Sequence, residues 1–145
     1  LMIGALRMIS EGRLSSVAQD QSLATYAHKI TPLDQNINWS LPSFAIHNMI
    51  RGLTPFPGAR ARLVLNGRDP LPVHIEPGIP LVEDAGLAPG VLFAYRDKEL
   101  AVACGSGVYI LRVLRPAGKG TMRAIDFFNG WLKGSSSPYG SFELS

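Results

Sequence analysis

The hydrophobic period of this chain changes near residues 57–58, and that change limits the folds it can adopt. Before this point, apolar side chains recur at helical spacing, at Ile46, Met49, Ile50 and Leu53. After it, apolar residues alternate with polar ones or occur in short runs bounded by glycine, which is typical of strands. A helix followed by several short strands predicts a mainly β domain with flanking helices.

The strand-like segments after residue 58 are short and are separated by turn residues. Residues 60–65 precede Asn66-Gly67, a dipeptide typical of β-hairpins, and residues 71–75 form the returning strand. The prolines of the returning segment favour an edge strand. Three further strands are predicted at residues 91–95, 100–104 and 108–114, with a glycine-rich turn at 105–107. This spacing favours a small barrel.

Two helices are predicted before the strands. Residues 1–11 carry an i, i+3, i+4, i+7 apolar stripe, and Gly12 stands where a glycine would end the helix. Residues 41–51 form the second helix, with Ser40 as candidate N-cap and Pro42 in the first turn.

A closing helix is predicted at residues 122–132, with Ile125, Phe128 and Leu132 on one face. Residues 13–22 have the polar composition of a linker, and residues 23–30 are compatible with a short strand. The Ser- and Gly-rich residues 134–145 are predicted to be frayed.

The composition is that of an ordinary soluble globular protein, with 46% hydrophobic and 17% charged residues among 145. Cys104 is the only cysteine, so an intramolecular disulfide is excluded and a reducing cytoplasm is expected. We expect an inert core thiol at Cys104 and, since His28, His47 and His74 lack metal-ligand spacing, no metal site. No run of residues predicts a membrane span or a signal peptide.

Basic residues cluster near the end of the predicted barrel. The net charge is only +3, yet between residues 109 and 134 a single acid, Asp126, accompanies Arg112, Arg115, Lys119, Arg123 and Lys133. Such clustering is typical of a surface that binds a polyanion, and it is also compatible with a solvated face.

Four segments, in this order, resemble the methionyl-tRNA formyltransferase family. They are residues 24–30 with 37–40 (ATYAHKI, INWS), 46–52 with 55–59 (IHNMIRG, PFPGA), 88–91 with 102–107 (APGV, VACGSG) and 115–122 with 126–130 (RPAGKGTM, DFFNG). The family more often has Asp, Trp, Thr, a basic residue and a small hydroxyl residue where this chain has Asn38, Phe56, Cys104, Gly120 and Arg123.

The resemblance implies an open Greek-key barrel, related to OB folds, over residues 23–134. It implies that residues 1–22 are the end of a Rossmann-like catalytic domain and that residues 135–145 are a flexible tail. The catalytic residues and the site for the co-substrate 10-formyltetrahydrofolate are then expected in that other domain, so no catalytic, cofactor-binding or metal-binding residue is assigned here. The expected partners are initiator methionyl-tRNA and the catalytic domain, with no membrane.

Five residues are candidates for contact with tRNA. Lys119 comes first, because the glycines around it let the backbone approach a phosphate closely. Arg115, Arg112 and Arg123 lie on either side of it in the sequence. Arg123 also puts a positive charge at the start of the closing helix, which is unfavourable unless an anion binds there. Arg51 either pairs with a carboxylate or contacts a phosphate.

Two other functions remain open on the sequence alone. Similar barrels of formyltetrahydrofolate hydrolases or dehydrogenases, and of nucleotide-sugar formyltransferases, bind no tRNA. A barrel that only supports its neighbouring domain is the third interpretation. The segments at residues 117–119 and 126–130 favour the tRNA enzyme.

Overall fold

The computed structural model describes residues 1–65, 68–96 and 99–144. The strands are β1 Ala59–Leu65, β2 Leu71–Ile75, β3 Ile79–Leu81, β4 Val91–Tyr95, β5 Glu99–Ala103, β6 Val108–Ile110, β7 Val113–Pro116, β8 Met122–Arg123 and β9 Gly140–Phe142. The helices are α1 Met2–Ser10, α2 Ser43–Leu53 and α3 Ala124–Phe127. The strands form a nine-stranded antiparallel half-barrel in the order β3-β6-β5-β4-β9-β1-β2-β7-β8. The predicted mainly β barrel with flanking helices is confirmed.

The chain begins with α1, and Gly12 ends it as predicted, with φ of 63°. No residue from 1 to 34 is buried. The short strand expected at residues 23–30 is wrong, because a 3-10 turn at Gln21–Leu23 is followed by irregular backbone. A strand is stabilised by hydrogen bonds to a neighbouring strand, and this exposed segment forms none with another strand among the described residues.

Helix α2 begins and ends two residues later than predicted, and its buried side chains include the expected Ile46, Ile50 and Leu53. Ser40 is not the N-cap: Pro42 holds that position, with extended backbone and no side-chain cap. The reason lies in the turn at residues 105–107, whose backbone is hydrogen-bonded to residues 39–43. The Gly105 N–H donates to the Trp39 carbonyl at 2.9 Å, and the Ser43 N–H donates to the Ser106 carbonyl at 2.9 Å.

Strands β1 and β2 form an antiparallel ladder of five residue pairs. The hairpin turn predicted at Asn66-Gly67 lies outside the described residues. The prediction that β2 is an edge strand is wrong, because β7 pairs with its other side. Pro72 is tolerated because it lies at the end of that ladder, where its carbonyl accepts the Ala117 N–H at 2.8 Å. The N–H that proline lacks would point past the last residue of β7.

Strand β4 occupies its predicted residues, and β5 lies one residue earlier than predicted. The single strand predicted at residues 108–114 is instead two strands, β6 and β7, separated by Leu111 and Arg112. The break is a barrel corner, since β6 pairs with β3 and β5 while β7 pairs with β2 and β8. Strand β3 was not predicted.

Trp39 is fully buried at the centre of the core. Its ring stacks on Phe142, with centroids 5.1 Å apart, and is tilted against Tyr109 at 6.3 Å. Trp39 is therefore an anchor of the hydrophobic core. Cys104 is also buried, which confirms the expected core position of its thiol. Burial raises the pKa of this thiol to about 12, which disfavours the reactive thiolate.

The prediction that the C-terminal segment is frayed is wrong for residues 140–142, because they form β9 between β4 and β1. Tyr139 and Phe142 enter the core. Gly140 permits this close pairing: a Cβ there would lie 2.2 Å from the Val64 carbonyl oxygen. Small residues therefore favour the central position of β9, although the same residues indicate disorder when sequence is considered alone.

The predicted closing helix is divided into β8, α3 and a π-helical turn at Phe128–Leu132. Its buried side chains are Ala124, Phe127 and Leu132, whereas Ile125 is 42% exposed. The prediction is therefore wrong for Ile125, whereas Leu132 is buried and Phe128 packs, half-buried, against the core. A π-helical turn bonds residue i to i+5, which brings residues 127 and 132 to the same side.

Candidate nucleic-acid interface

The loop after β7 is a tight turn that projects Lys119 from the barrel. The Lys119 N–H donates to the Pro116 carbonyl at 3.0 Å, and Gly118 has φ of 73°. A type II turn needs positive φ at this position, which glycine adopts without a steric penalty. A Cβ at Gly118 would meet no atom within 4 Å, so the backbone here is open to approach.

This loop borders a shallow hollow of about 350 Å³, lined by Pro72, His74, Arg115 and residues 116–119. Arg115 and Lys119 are both exposed. Neither forms an ion pair within residues 1–65, 68–96 and 99–144. The structure thus brings two of the five candidate residues together with their charges uncompensated.

Two residues that the sequence did not indicate lie beside this pair. Strand register places Arg60 of β1 opposite His74 of β2, and His74 opposite Arg115 of β7. Side chains of one face alternate with those of the other along each strand, so all three lie on the outer face. In the sequence, only the alternation of Arg60-Ala61-Arg62 predicts an arginine that faces outward. The position of Arg60 beside His74 and Arg115 depends on the register of the strands.

The environment of His74 is cationic and partly desolvated. Burial, then Arg115 and Arg60, lower the pKa of His74, while Glu76 opposes them. Its Nδ1 atom is buried and has no hydrogen-bond partner among the described residues. This atom faces Gly58, where a Cβ would lie 3.0 Å away. The lowered pKa favours the neutral imidazole, whose Nδ1 is turned inward.

Arg112 and Arg123 differ from Arg115, because both already have carboxylate partners. Arg112 contacts Glu99 at 2.9 Å, and Arg123 donates two hydrogen bonds to Asp126 at 2.8 and 2.9 Å. These hydrogen bonds lower the pKa of Asp126. The charge of Arg123 at the start of α3 is therefore balanced within the same turn of the chain, without a bound anion.

Arg51 is exposed in the last turn of α2 and has no ion pair in the described part of the chain. It lies one helical turn after His47, whose pKa is lowered by burial and then by Arg51. His47 is half-buried, with Nδ1 3.3 Å from the hydroxyl of Tyr109. That hydroxyl accepts the Gly78 N–H at 2.7 Å, so His47 belongs to a structural network.

The turn at residues 105–107 has a structural role. A Cβ on Gly105 would lie 1.8 Å from the Ser40 carbonyl oxygen, so the glycine lets the two backbones touch. Among the residues that the structure describes, no three or more His, Cys, Asp or Glu side chains form a cluster suited to a metal ion. No helix in the same residues is long and apolar enough to cross a membrane.

Fold and surface together define a small antiparallel β-barrel module with a cationic outer face. The sequence pattern described as "Formyl transferase, C-terminal domain" matches residues 29–132, which is most of the chain. The chain belongs to this family of formyltransferase C-terminal domains.

Curated relatives share this region of their sequences. The methionyl-tRNA formyltransferase of Nitratidesulfovibrio vulgaris (strain DP4) is 35% identical over 91% of this chain and 40% of its own length. That of Desulfovibrio desulfuricans is 39% identical over 92% and 41%, and that of Heliobacterium modesticaldum is 36% identical over 97% and 45%. The chain therefore spans about two fifths of the length of the relatives that it matches.

Proposed function

We propose that this chain is the RNA-binding C-terminal module of a methionyl-tRNA formyltransferase and that it holds initiator methionyl-tRNA. The observation that carries the proposal is the pair Arg115 and Lys119, which are exposed, have no carboxylate partner among the described residues and border one hollow. Cations of this kind attract phosphates, since bound RNA releases its condensed counterions. The names of the relatives support tRNA as the polyanion.

The module contributes affinity and orientation more than recognition of a base sequence. Contacts from Lys and Arg to phosphates fix the position of a nucleic acid but carry no direct sequence information. The turn at residues 116–119 suits such a contact, because its backbone is open and Lys119 is a mobile point charge. Discrimination among tRNAs then belongs mainly to other parts of the enzyme.

The formylation itself belongs to a preceding catalytic domain. In this proposal that domain binds 10-formyltetrahydrofolate and transfers its formyl group to the methionine amine. Residues 1–22 are the end of that domain and the connection to the barrel. The exposed apolar side of α1, with Leu6 58% and Ile9 56% exposed, supports this division.

The test is a titration of tRNA into the 145-residue chain at several salt concentrations. We expect Lys119→Ala to reduce the slope of log K against log salt by about 0.9, the value for one neutralised phosphate in duplex nucleic acid. Several different tRNAs should lose affinity to the same extent, because a phosphate contact is common to all of them.

Arg96→Gln is the matched control, since it removes the same unit of charge from an exposed arginine paired with Glu83 at 2.9 Å. Its slope should equal that of the unchanged protein. Equal slopes for Lys119→Ala and the unchanged protein would remove Lys119 from the interface. Absence of tRNA binding at low salt would favour a supporting barrel or one of the formyltransferase relatives that bind no tRNA.

A further inference from the structure

The row Arg60, His74 and Arg115 has the geometry of an anion site built on three adjacent strands. Each residue lies directly opposite the next in register, and His74 and Arg115 line the hollow beside Lys119. Neither arginine has an ion pair among the described residues. The neighbouring outward arginine of β1, Arg62, is paired with Glu143 at 3.1 Å. The lack of a carboxylate partner among the described residues therefore distinguishes Arg60 and Arg115 from Arg62.

We infer that Arg60, His74 and Arg115 together hold one backbone phosphate of bound RNA, with His74 donating a hydrogen bond through Nε2–H. The identification of the polymer as RNA rests on the proposed function, whereas the phosphate chemistry rests on the row itself. The two arginines supply the charge, and the imidazole supplies a neutral donor between them.

The buried Nδ1 atom explains why His74 donates through its other nitrogen. A hydrogen on Nδ1 would be directed into the contact with Gly58, where no described acceptor is available. A buried N–H without an acceptor is more unfavourable than a buried lone pair without a donor. The proton of the neutral ring therefore resides on Nε2, and His74 lines the hollow.

The charged groups around the ring favour an anion. Arg60 reaches it from β1 and Arg115 from β7, Glu76 follows on its own strand, and Lys119 borders the same hollow. Three cations therefore oppose one carboxylate. A phosphate beside the ring would offset the two arginines that now disfavour protonation, so RNA binding should raise the pKa of His74.

The first test measures tRNA affinity and its salt dependence at pH 7.5 for Arg60→Gln, Arg115→Gln, His74→Phe and His74→Gln. Each arginine variant should reduce the slope of log K against log salt by about 0.9. His74→Phe should weaken binding several-fold and leave the slope unchanged, because a neutral imidazole displaces no counterion. His74→Gln retains an N–H donor and should retain most of the affinity.

Arg62→Gln is the matched control, because Arg62 lies two residues from Arg60 on the same face but has a carboxylate partner. Its slope should not change. If Lys119→Ala lowers the slope and the Arg60 and Arg115 variants do not, the proposed function stands and this inference is overturned. If the unchanged chain binds no tRNA, both are overturned.

The second test follows the imidazole resonances by NMR as pH is varied, with and without a short RNA hairpin. We expect the hairpin to raise the pKa of His74 and to leave that of His47 unchanged, since His47 lies in the Tyr109 network. An unchanged His74 titration would overturn the inference. Inorganic phosphate at the same phosphate concentration should have a smaller effect, and an equal effect would assign the site to free phosphate instead of RNA.

Discussion

The two ends of the chain differ in burial, and the difference is the opposite of what their compositions suggest. The N-terminal 34 residues include many apolar side chains, yet none of these residues is buried. Residues 134–144 are rich in Ser and Gly, yet they contribute Tyr139 and Phe142 to the core and a strand to the middle of the sheet. Burial here follows strand pairing with distant partners more than the local content of apolar residues.

The strongest test of this comparison is Phe142→Ala. Phe142 is 3% exposed and stacks on Trp39, so its loss should lower the free energy of unfolding by about 3–5 kcal/mol, as for other buried phenylalanines. Urea denaturation at pH 7 would measure this. Leu144→Ala, at a side chain 58% exposed, should change it by less than about 0.5 kcal/mol. Equal effects at both positions would show that β9 is not part of the stable core.

A smaller loss of stability is expected when the pH is lowered. Burial lowers the pKa of both His47 and His74 below the ordinary value of 6.5, so the unfolded chain binds protons more readily than the folded one. The contribution of these neutral rings to stability is present in full above pH 6.5 and is lost as pH falls from there towards their lowered pKa values. Unfolding measured between pH 7.5 and 5 should show this decline.

The loss of stability at low pH should sharpen the contrast between the ends, since both histidines, on α2 and β2, lie outside the N-terminal 34 residues. A chain without residues 1–22 should show the same decline as the whole chain. His47→Gln should reduce it, because one of the two rings that resist protonation is then absent. A decline that disappears with residues 1–22 would place the acid-sensitive contacts in the N-terminal segment instead.

The smallest effect is expected from removing residues 1–22 at neutral pH. These residues contain no buried side chain, so the free energy of unfolding of the barrel should change by less than about 0.5 kcal/mol. Thermal unfolding of the two chains side by side would measure the difference. A large loss of stability would mean that α1 supports the barrel, and the contrast between the two ends would then be wrong.

Local patterns predicted the elements whose stability is mostly local. The apolar spacing of α2 and the compact run of β4 were visible in the sequence, although the first turn of α2 was placed too early because its cap depends on residues 105–107. Strand β9 was not visible, because its three residues form a strand only through pairing with β1 and β4.

The candidate site shows the same division. The loop with Lys119 was recognisable from its glycines, and Arg115 from its neighbourhood. The pairing of Arg112 with Glu99 joins the corner between β6 and β7 to β5, and Arg60 meets His74 through strand register alone. Charge counting along the sequence therefore identified the basic region but did not distinguish compensated from uncompensated cations.

The position of β9 also affects the order in which the protein can assemble during its synthesis. Strand β9 divides the sheet into two groups of strands, β3 to β6 on one side and β1, β2, β7 and β8 on the other. It pairs with β4 of the first group and with β1 of the second, and among the described strands it alone is hydrogen-bonded to both groups. It is also the last of these strands to leave the ribosome. The two groups can therefore form early on the nascent chain, but the seam between them closes only after residues 140–142 have emerged, which makes completion of the sheet a late event.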